Sequence, residues 1–498
     1  MINEKILEKI VLVIIFAFGL YMMYSAAKTP MLGEDEVRIT YIKDIVEGKL
    51  FPQTFAIAIS SLLVYTAYDI PLYLFSLNAL VISHIFTAFL TMLLLLVMYL
   101  IGKKSEHMYF GMLCVLFLIS IPLLFHLSLF AYIDGAIALF SALAFFAIIK
   151  WYRKPTLLNL LFVILLSGLS FYTKESGLLI TLLAFLFVAA ISVRKNDYKN
   201  IFIFLAATII IFSPYILRNI IIFGFPGMEG LNIFFKIRPA DAVPQWVFEA
   251  AKMIIPQKPS FITLLSMFAL PHILLFFTAS VLIIIEKRTE YIFSLLLIIL
   301  FISVFIYSYI SSTRLLENRY FTIIFPQIAF LGSFTIYQLV KTKKVIHLII
   351  AAFFVLLLLF YSINTFSIIK STSESVRYTP EYLSALKWLK DNTPSDAKVF
   401  TTYGGSLKVY GERDSVWAIE EFPQLMRGTN SSYDYEVLKK YNVSYILIWV
   451  ATIGRDYIIP ESNIIGAYTP TFINTIAQDT ERFEKVFENK ETLIFKIL

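Results

Sequence analysis

Runs of about 18 or more apolar residues, the length that spans a bilayer as a helix, recur along this 498-residue chain as far as residue 367. No other feature restricts the fold so strongly. Eleven spans are expected, at roughly 8–26, 78–101, 108–126, 134–150, 157–172, 177–193, 200–217, 262–285, 291–310, 320–340 and 345–367. With 59% hydrophobic and only 15% charged residues, the chain carries far more apolar surface than a soluble domain needs. The expected class is mainly α: a polytopic membrane helical bundle of about eleven spans over 1–370, followed by a small α/β domain over 371–498.

The connections alternate in character. One set is short and basic: Lys103-Lys104, Lys150 with Arg153-Lys154, Arg194-Lys195, Lys287-Arg288, and Lys341 with Lys343-Lys344. Lys5 and Lys9 lie at the N-terminus, before the apolar core Ile10 to Tyr24. If every span crosses once, all of these fall on one side, which the positive-inside rule makes cytoplasmic. The net charge of +7 is therefore a topology signal and not a nucleic-acid signal. The first segment has the charge and core of a signal peptide, but Ala26-Ala27-Lys28 is a poor cleavage site, so it reads as a retained helix. The single cysteine, Cys114, lies in an apolar run, which excludes an intrachain disulfide and a Cys-based metal site.

The other connections face outward. The outer loop 27–77 contains an amphipathic stretch from Asp35 to Val46 and an apolar one from Phe55 to Tyr65, both suited to lying in the interface. In the outer loop 218–260, the stretch from Trp246 to Met253 reads the same way, between Pro244 and Pro256. After Lys370 the composition turns polar. Thr379-Pro380-Glu381 is a helix start, with Thr as N-cap and Pro at the first helical position. Helices are expected at 381–390 and 435–440, strands at 398–402 and 443–450, and two short strands around Asn489. Alternating helices and strands make a small α/β domain. Its sequons at Asn430 and Asn442 agree weakly with an extracytoplasmic location.

Five outward corners press ionisable residues against apolar helix ends. Asp35 and Glu36, preceded by Glu34, follow span one; Asp134 opens span four; Lys174 and Glu175 lie between spans five and six. Arg218-Asn219 close span seven, and Arg314, Glu317 and Arg319 precede span ten. Each alone reads as an interfacial anchor that snorkels to water. Together, mixed in sign and at one membrane face, they are expected to line a pocket suited to holding an anionic head group against cations while a carboxylate acts on a hydroxyl. That mixture suits a sugar donor joined to a lipid phosphate. Cations stabilise the leaving phosphate ester, one carboxylate takes the acceptor proton, and a single displacement inverts the sugar carbon without a second carboxylate.

The order of these features resembles the membrane glycosyltransferases of the C-type fold, especially the protein O-mannosyltransferases and lipid A aminoarabinose transferases. The likeness is carried by Gly33-Glu34-Asp35-Glu36, by Tyr132-Ile133-Asp134-Gly135-Ala136, and by Thr173-Lys174 with Gly177. It continues through Arg218-Asn219 with Phe223-Gly224, and through Glu317 to Tyr320. In the tail, Trp388 to Pro394 and Leu438 to Val443 resemble the small α/β domain of prokaryotic members. Each motif is short; their order and sidedness carry the resemblance, which covers nearly the whole chain.

The resemblance implies a transferase that takes a sugar from a polyprenyl-phosphate donor, in a multi-pass cell-membrane protein with a cytoplasmic N-terminus. Asp35 would be the catalytic base and Glu36 its supporting neighbour, with Glu34 able to exchange roles on a one-residue shift. Asp134 would be the second acidic residue, which in some relatives shapes a metal or acceptor site. Lys174, Arg218 and Arg319 would contact the donor phosphate, supported by Asn219 and Glu317. Glu175 departs from the small residue common in relatives. The five histidines are scattered, and His126, near Asp134 in sequence, reads as a polar helix-end residue because no second His accompanies it. A divalent metal is compatible with the carboxylates but has no further support. The acceptor is a protein, lipid or glycan hydroxyl or amine. The alternative class is a transporter or flippase of lipid-linked saccharides, which would show mid-span charges and paired repeats. A purely structural or sensory membrane protein would leave the charged corners without a role.

Overall fold

The computed structural model describes residues 4–29, 79–130, 132–223, 270–310, 318–373, 378–401, 406–416, 421–425, 430–449 and 470–498. The expected interfacial stretches 35–46, 55–65 and 246–253 lie outside these residues. The chain divides into two compact units, the second built mainly from residues 376–498.

The first unit is helical. Its elements are α1 (Glu4–Lys28), α2 (Ala79–Ser105), α3 (Met108–Ile119), α4 (Pro122–Ser128), α5 (Asp134–Arg153) and α6 (Leu157–Thr173). They continue as α7 (Leu178–Arg194), α8 (Lys199–Phe223), α9 (Leu270–Ile285), α10 (Thr289–Ile310), α11 (Phe325–Lys341) and α12 (Val345–Ser373). Helix occupies the described part of each of the eleven expected segments. Six of them, α1, α2, α5, α8, α11 and α12, are each long and apolar enough to cross a membrane. The pair α3–α4 makes a seventh if counted as one span, and α6, α7, α9 and α10 are shorter apolar helices.

Burial sorts these helices. The apolar stretches of α5 and α11 are 72% and 78% buried inside the protein, whereas those of α8 and α12 are each 17% buried. A helix that is apolar all round is buried by its neighbours or by lipid, so α5 and α11 form the centre while α8 and α12 present Phe202, Ile210, Leu356 and Ile363 outward. Helix contacts in a bilayer rely on close packing of small residues. A Cβ on Gly102 of α2 would lie 2.6 Å from the Gly111 Cα of α3, so only glycine permits that approach.

The expected span 108–126 is broken, with a 70° bend between α3 and α4. Pro122 has no N–H to continue the ladder and drives the preceding residue out of helical geometry; Ile121 has φ −104° and ψ 91°. Neighbouring helices satisfy the exposed groups, as lipid cannot. Thr365 Oγ1 of α12 donates to the Ile119 carbonyl at 2.7 Å, and Ser120 Oγ lies 2.8 Å from His272 Nε2 of α9. Prolines elsewhere in the bundle act differently. Pro214 sits inside α8, and Pro271 and Pro326 stand at helix starts.

The second unit contains α13 (Pro380–Asn392), β1 (Lys398–Phe400), β2 (Asp414–Val416), α14 (Ser431–Lys440), β3 (Tyr445–Trp449), α15 (Pro470–Gln478), β4 (Phe483–Glu488) and β5 (Thr492–Ile497). The sheet order is β2-β1-β3-β5-β4; β2, β1 and β3 run parallel, and β5 and β4 join antiparallel. Thr379 caps α13 by accepting from the Tyr382 N–H, with Pro380 in the first turn. Asn430 caps α14 through Ser432 and Tyr433, which starts that helix earlier than the apolar pattern suggested. Its end is closed by Asn442 at φ 56°, with Asn442 N–H on the Lys439 carbonyl and Val443 N–H on Leu438. These two bonds cap the last carbonyls of the helix. Asn489 turns the last hairpin, its Oδ1 accepting from Glu491 and Thr492. The strand β2 and the helix α15 had no clear signal in the sequence.

Asp434 of α14 is buried in this unit, and its Oδ2 has no partner among the described residues. Burial pushes its carboxyl up to about 7. A carboxyl whose value is raised on folding stabilises the folded state fully below its unfolded value of about 4, and that contribution is lost as pH rises through about 7. Asp434→Asn is therefore expected to make the unit more stable than wild type at pH 8 and to flatten its stability between pH 5 and 8. Hydrogen exchange of the β3 amides reads this directly, and an unchanged slope would exonerate Asp434.

Candidate active site at the start of helix five

Asp134 is the first residue of α5, where unbonded N–H groups and the helix dipole favour a carboxylate. Its side chain is fully buried, so its charge needs a partner. The partner comes from the corner between α6 and α7. Lys174 leaves α6 in extended geometry, at φ −157° and ψ 140°, and a short 3-10 turn over Glu175–Gly177 leads into α7. Gly177 makes that corner feasible: a Cβ there would lie 2.1 Å from the Ser170 carbonyl oxygen. Lys174 Nζ donates to Asp134 Oδ1 at 2.7 Å and retains 15% side-chain exposure.

A third segment closes on the pair. Residues 318–324 form a 3-10 helix ahead of α11. Thr322 Oγ1 donates to Asp134 Oδ1 at 3.3 Å. Ser141 Oγ of α5 donates to the Ile323 carbonyl at 2.8 Å, and Gln327 Nε2 donates to Ser141 Oγ at 2.8 Å. These bonds hold the segment that carries Arg319 along α5. Asp134 Oδ2 is buried without a hydrogen-bond partner among the described residues. Beside it, Gly135 allows α2 to approach: a Cβ would lie 2.9 Å from Thr91 Oγ1, whose hydroxyl donates to Ser128 Oγ at 2.6 Å.

The structure thus brings two of the expected site residues into direct contact. Asp134 and Lys174, assigned to different tasks on the sequence, form one ion pair. Arg218 and Asn219 lie in the last turns of α8 and Arg319 in the 3-10 segment, with their side chains outside the description. Glu34, Asp35, Glu36 and Glu317 lie outside the described residues. His126 Nδ1 sits 3.0 Å from Thr372 Oγ1 of α12, and among the described residues no bond joins it to Asp134. Thr322 and Ser141 went unremarked in the sequence, where a lone hydroxyl in an apolar segment carries no signal.

Residues 73–217, which include Asp134 and Lys174, match the family of dolichyl-phosphate-mannose-protein mannosyltransferases. The chain is also similar in structure to ArnT from Cupriavidus metallidurans, solved bound to undecaprenyl phosphate. That likeness has a TM-score of 0.63 at 12% identity and covers 97% of each chain. The fold is that of the C-type membrane glycosyltransferases. The archaeal oligosaccharyltransferase AglB from Archaeoglobus fulgidus, solved with an inhibitory peptide and a dolichol-phosphate, shares this C-type fold. It aligns with a TM-score of 0.62 at 12% identity, over 90% of this chain and 70% of its own. An Archaeoglobus fulgidus oligosaccharyltransferase in complex with Zn and sulfate aligns at a TM-score of 0.56 and 13% identity, over 87% of this chain and 64% of its own. No curated protein matches the chain.

Proposed function

We propose that this chain is a membrane glycosyltransferase that moves a sugar from a polyprenyl-phosphate donor to a hydroxyl or amine of a protein, lipid or glycan. The observation that carries this reading is the buried Asp134–Lys174 pair at the start of α5, inside the stretch that matches the mannosyltransferase family. The solved C-type relatives that bind undecaprenyl phosphate and dolichol-phosphate support a lipid-phosphate donor.

In this reading Asp35 takes the acceptor proton as the acceptor oxygen or nitrogen attacks the anomeric carbon. The bond from that carbon to the phosphate oxygen breaks, the sugar inverts, and the polyprenyl phosphate leaves with the electron pair. Glu36 orients the acceptor, with Glu34 as the neighbour able to exchange roles. Lys174, Arg218 and Arg319 face the phosphate, supported by Asn219 and Glu317, and stabilise the charge that grows on it. Asp134 acts as a positioning residue: it fixes the Lys174 ammonium at a helix end, so no reorganisation is needed during transfer. In this reading the basic connections lie in the cytoplasm, as the positive-inside rule expects, and the C-terminal residues are extracytoplasmic.

A divalent cation would need the Glu34, Asp35 and Glu36 carboxylates beside Asp134, and those three lie outside the described residues. Asp134 offers one orphan carboxylate oxygen, but an ammonium sits 2.7 Å from the other, and no group of three metal-ligating side chains occurs among the described residues. No step is routed through a metal here.

The test is direct. Membranes containing the wild-type chain are given polyprenyl-phosphate donors carrying labelled hexoses or pentoses. Label is expected to move to an acceptor from at least one donor, and no movement from any of them would sink the assignment.

A further inference from the structure

At the far end of α5 the fold contains a second polar site. Trp151 lies 17 residues after Asp134, which at 1.5 Å per residue puts it about 25 Å along the helix. Trp151 and Tyr152 of α5, Ser192 of α7, Lys195 just beyond α7, Asp197, and Asn200 of α8 line a cavity of about 200 Å³. Two of these groups are in an unusual state. Trp151 and Ser192 are each 1% exposed, and among the described residues neither the indole Nε1 nor the hydroxyl Oγ has a hydrogen-bond partner. A serine in a helix normally donates to a carbonyl one turn back, as Ser128, Ser170 and Thr173 do here. Ser192 does not. An unmet buried donor costs about 1–3 kcal/mol, and two of them on one cavity wall call for an acceptor.

The charges select which acceptor. Lys195 stands over the Tyr152 ring, with Nζ 6.0 Å from its centroid. Lys150, Arg153, Lys154, Arg194 and Lys199 flank the cavity in sequence. The one lining carboxylate, Asp197, already accepts from Asn200 Nδ2 at 2.7 Å. The carbonyls at the end of α7, which would repel an anion, are occupied: Lys195, Asn196 and Asp197 N–H groups bond Ile191, Val193 and Ser192 respectively. Left over are an N–H, an O–H and an ammonium around a space bounded by the ends of membrane helices. Basic pockets between such helices are suited to anionic lipid head groups.

We propose that this cavity binds a phosphate group, supplied by the head group of an anionic phospholipid, through Trp151 Nε1, Ser192 Oγ and Lys195 Nζ. The inference is independent of the transfer reaction, because the site lies at the opposite helix ends.

The experiment uses the full chain purified in a neutral detergent, titrated with short-chain phosphatidylglycerol, with diacylglycerol of the same chains, and with inorganic phosphate, reading thermal stabilisation. Wild type is expected to respond to phosphatidylglycerol and not to diacylglycerol. Ser192→Ala and Trp151→Phe, which each remove one donor, and Lys195→Met, which removes the cation, should each weaken binding about 10- to 150-fold, the range expected for hydrogen bonds to a charged group. Lys344→Met removes an exposed cation from another connection on the same face and should change binding less than about 2-fold. A matching donor-dependent response to inorganic phosphate would support the phosphate site and assign it to a soluble anion; a response to the lipid alone assigns it to a head group. Equal response of wild type, Ser192→Ala and Trp151→Phe to both phosphate sources would overturn the proposal, as would equal binding of diacylglycerol. Ser192→Ala keeps the test sound, because replacing an unpartnered buried hydroxyl by a methyl leaves folding intact or improves it.

Discussion

Asp35→Asn is expected to reduce sugar transfer by about 10²- to 10⁴-fold, the range a positioned general base contributes, while the purified chain keeps its wild-type melting behaviour. The exchange preserves shape and removes only proton affinity, so a fall confined to turnover identifies the base. Binding of the polyprenyl-phosphate donor should be unchanged within about 2-fold, because in the proposed mechanism the phosphate is held by cations elsewhere. The neighbouring acids supply the control. Glu36→Gln should lose less than Asp35→Asn, and Glu34→Gln less again. A large loss in Glu34→Gln with a mild effect in Asp35→Asn would move the base by one residue. Wild-type transfer by Asp35→Asn would remove the carboxylate from the mechanism.

The second large effect concerns stability and activity together. Lys174→Met leaves the fully buried Asp134 carboxylate with the Thr322 hydroxyl as its side-chain donor among the described residues. Breaking a buried pair from one side costs about 3–5 kcal/mol, because the remaining charge has been removed from water without compensation. The variant is expected to melt well below wild type and to lose transfer. Adding Asp134→Leu should restore most of the lost stability, since an apolar replacement of both partners is often neutral, but should not restore transfer. That split separates the two contributions of Lys174. If the double variant recovers activity as well, the pair is structural only. If Lys174→Met melts like wild type, the 2.7 Å contact is not the main compensation for Asp134.

The helices of this protein were legible because their signals are local. An apolar run of spanning length is a helix wherever it sits in the chain. Thr379 and Pro380 announce α13 for the same reason: a cap and a preset φ act within one turn. Pro122 is a helix breaker by its own chemistry. The 70° bend it makes was not legible, because the bend depends on Thr365 and His272 arriving from α12 and α9 to bond the exposed groups. In the second unit, Asn430 lengthened α14 beyond its apolar pattern, and the three-residue β2 is too short to leave a periodic trace.

For the site, the sequence by itself determined which residues are anomalous: carboxylates and cations set against apolar helix ends on one side, in an order that resembles the C-type glycosyltransferases. It could not decide which of them meet. Asp134 and Lys174 are 40 positions apart, and Asp134 and Thr322 are 188 apart. Their contact depends on Gly177 turning the corner against the Ser170 carbonyl and on Ser141 holding the 318–324 segment against α5. The membrane bundle follows from apolar length, which each segment carries within itself. The pairing of a buried carboxylate with its ammonium follows from packing, which no single segment encodes.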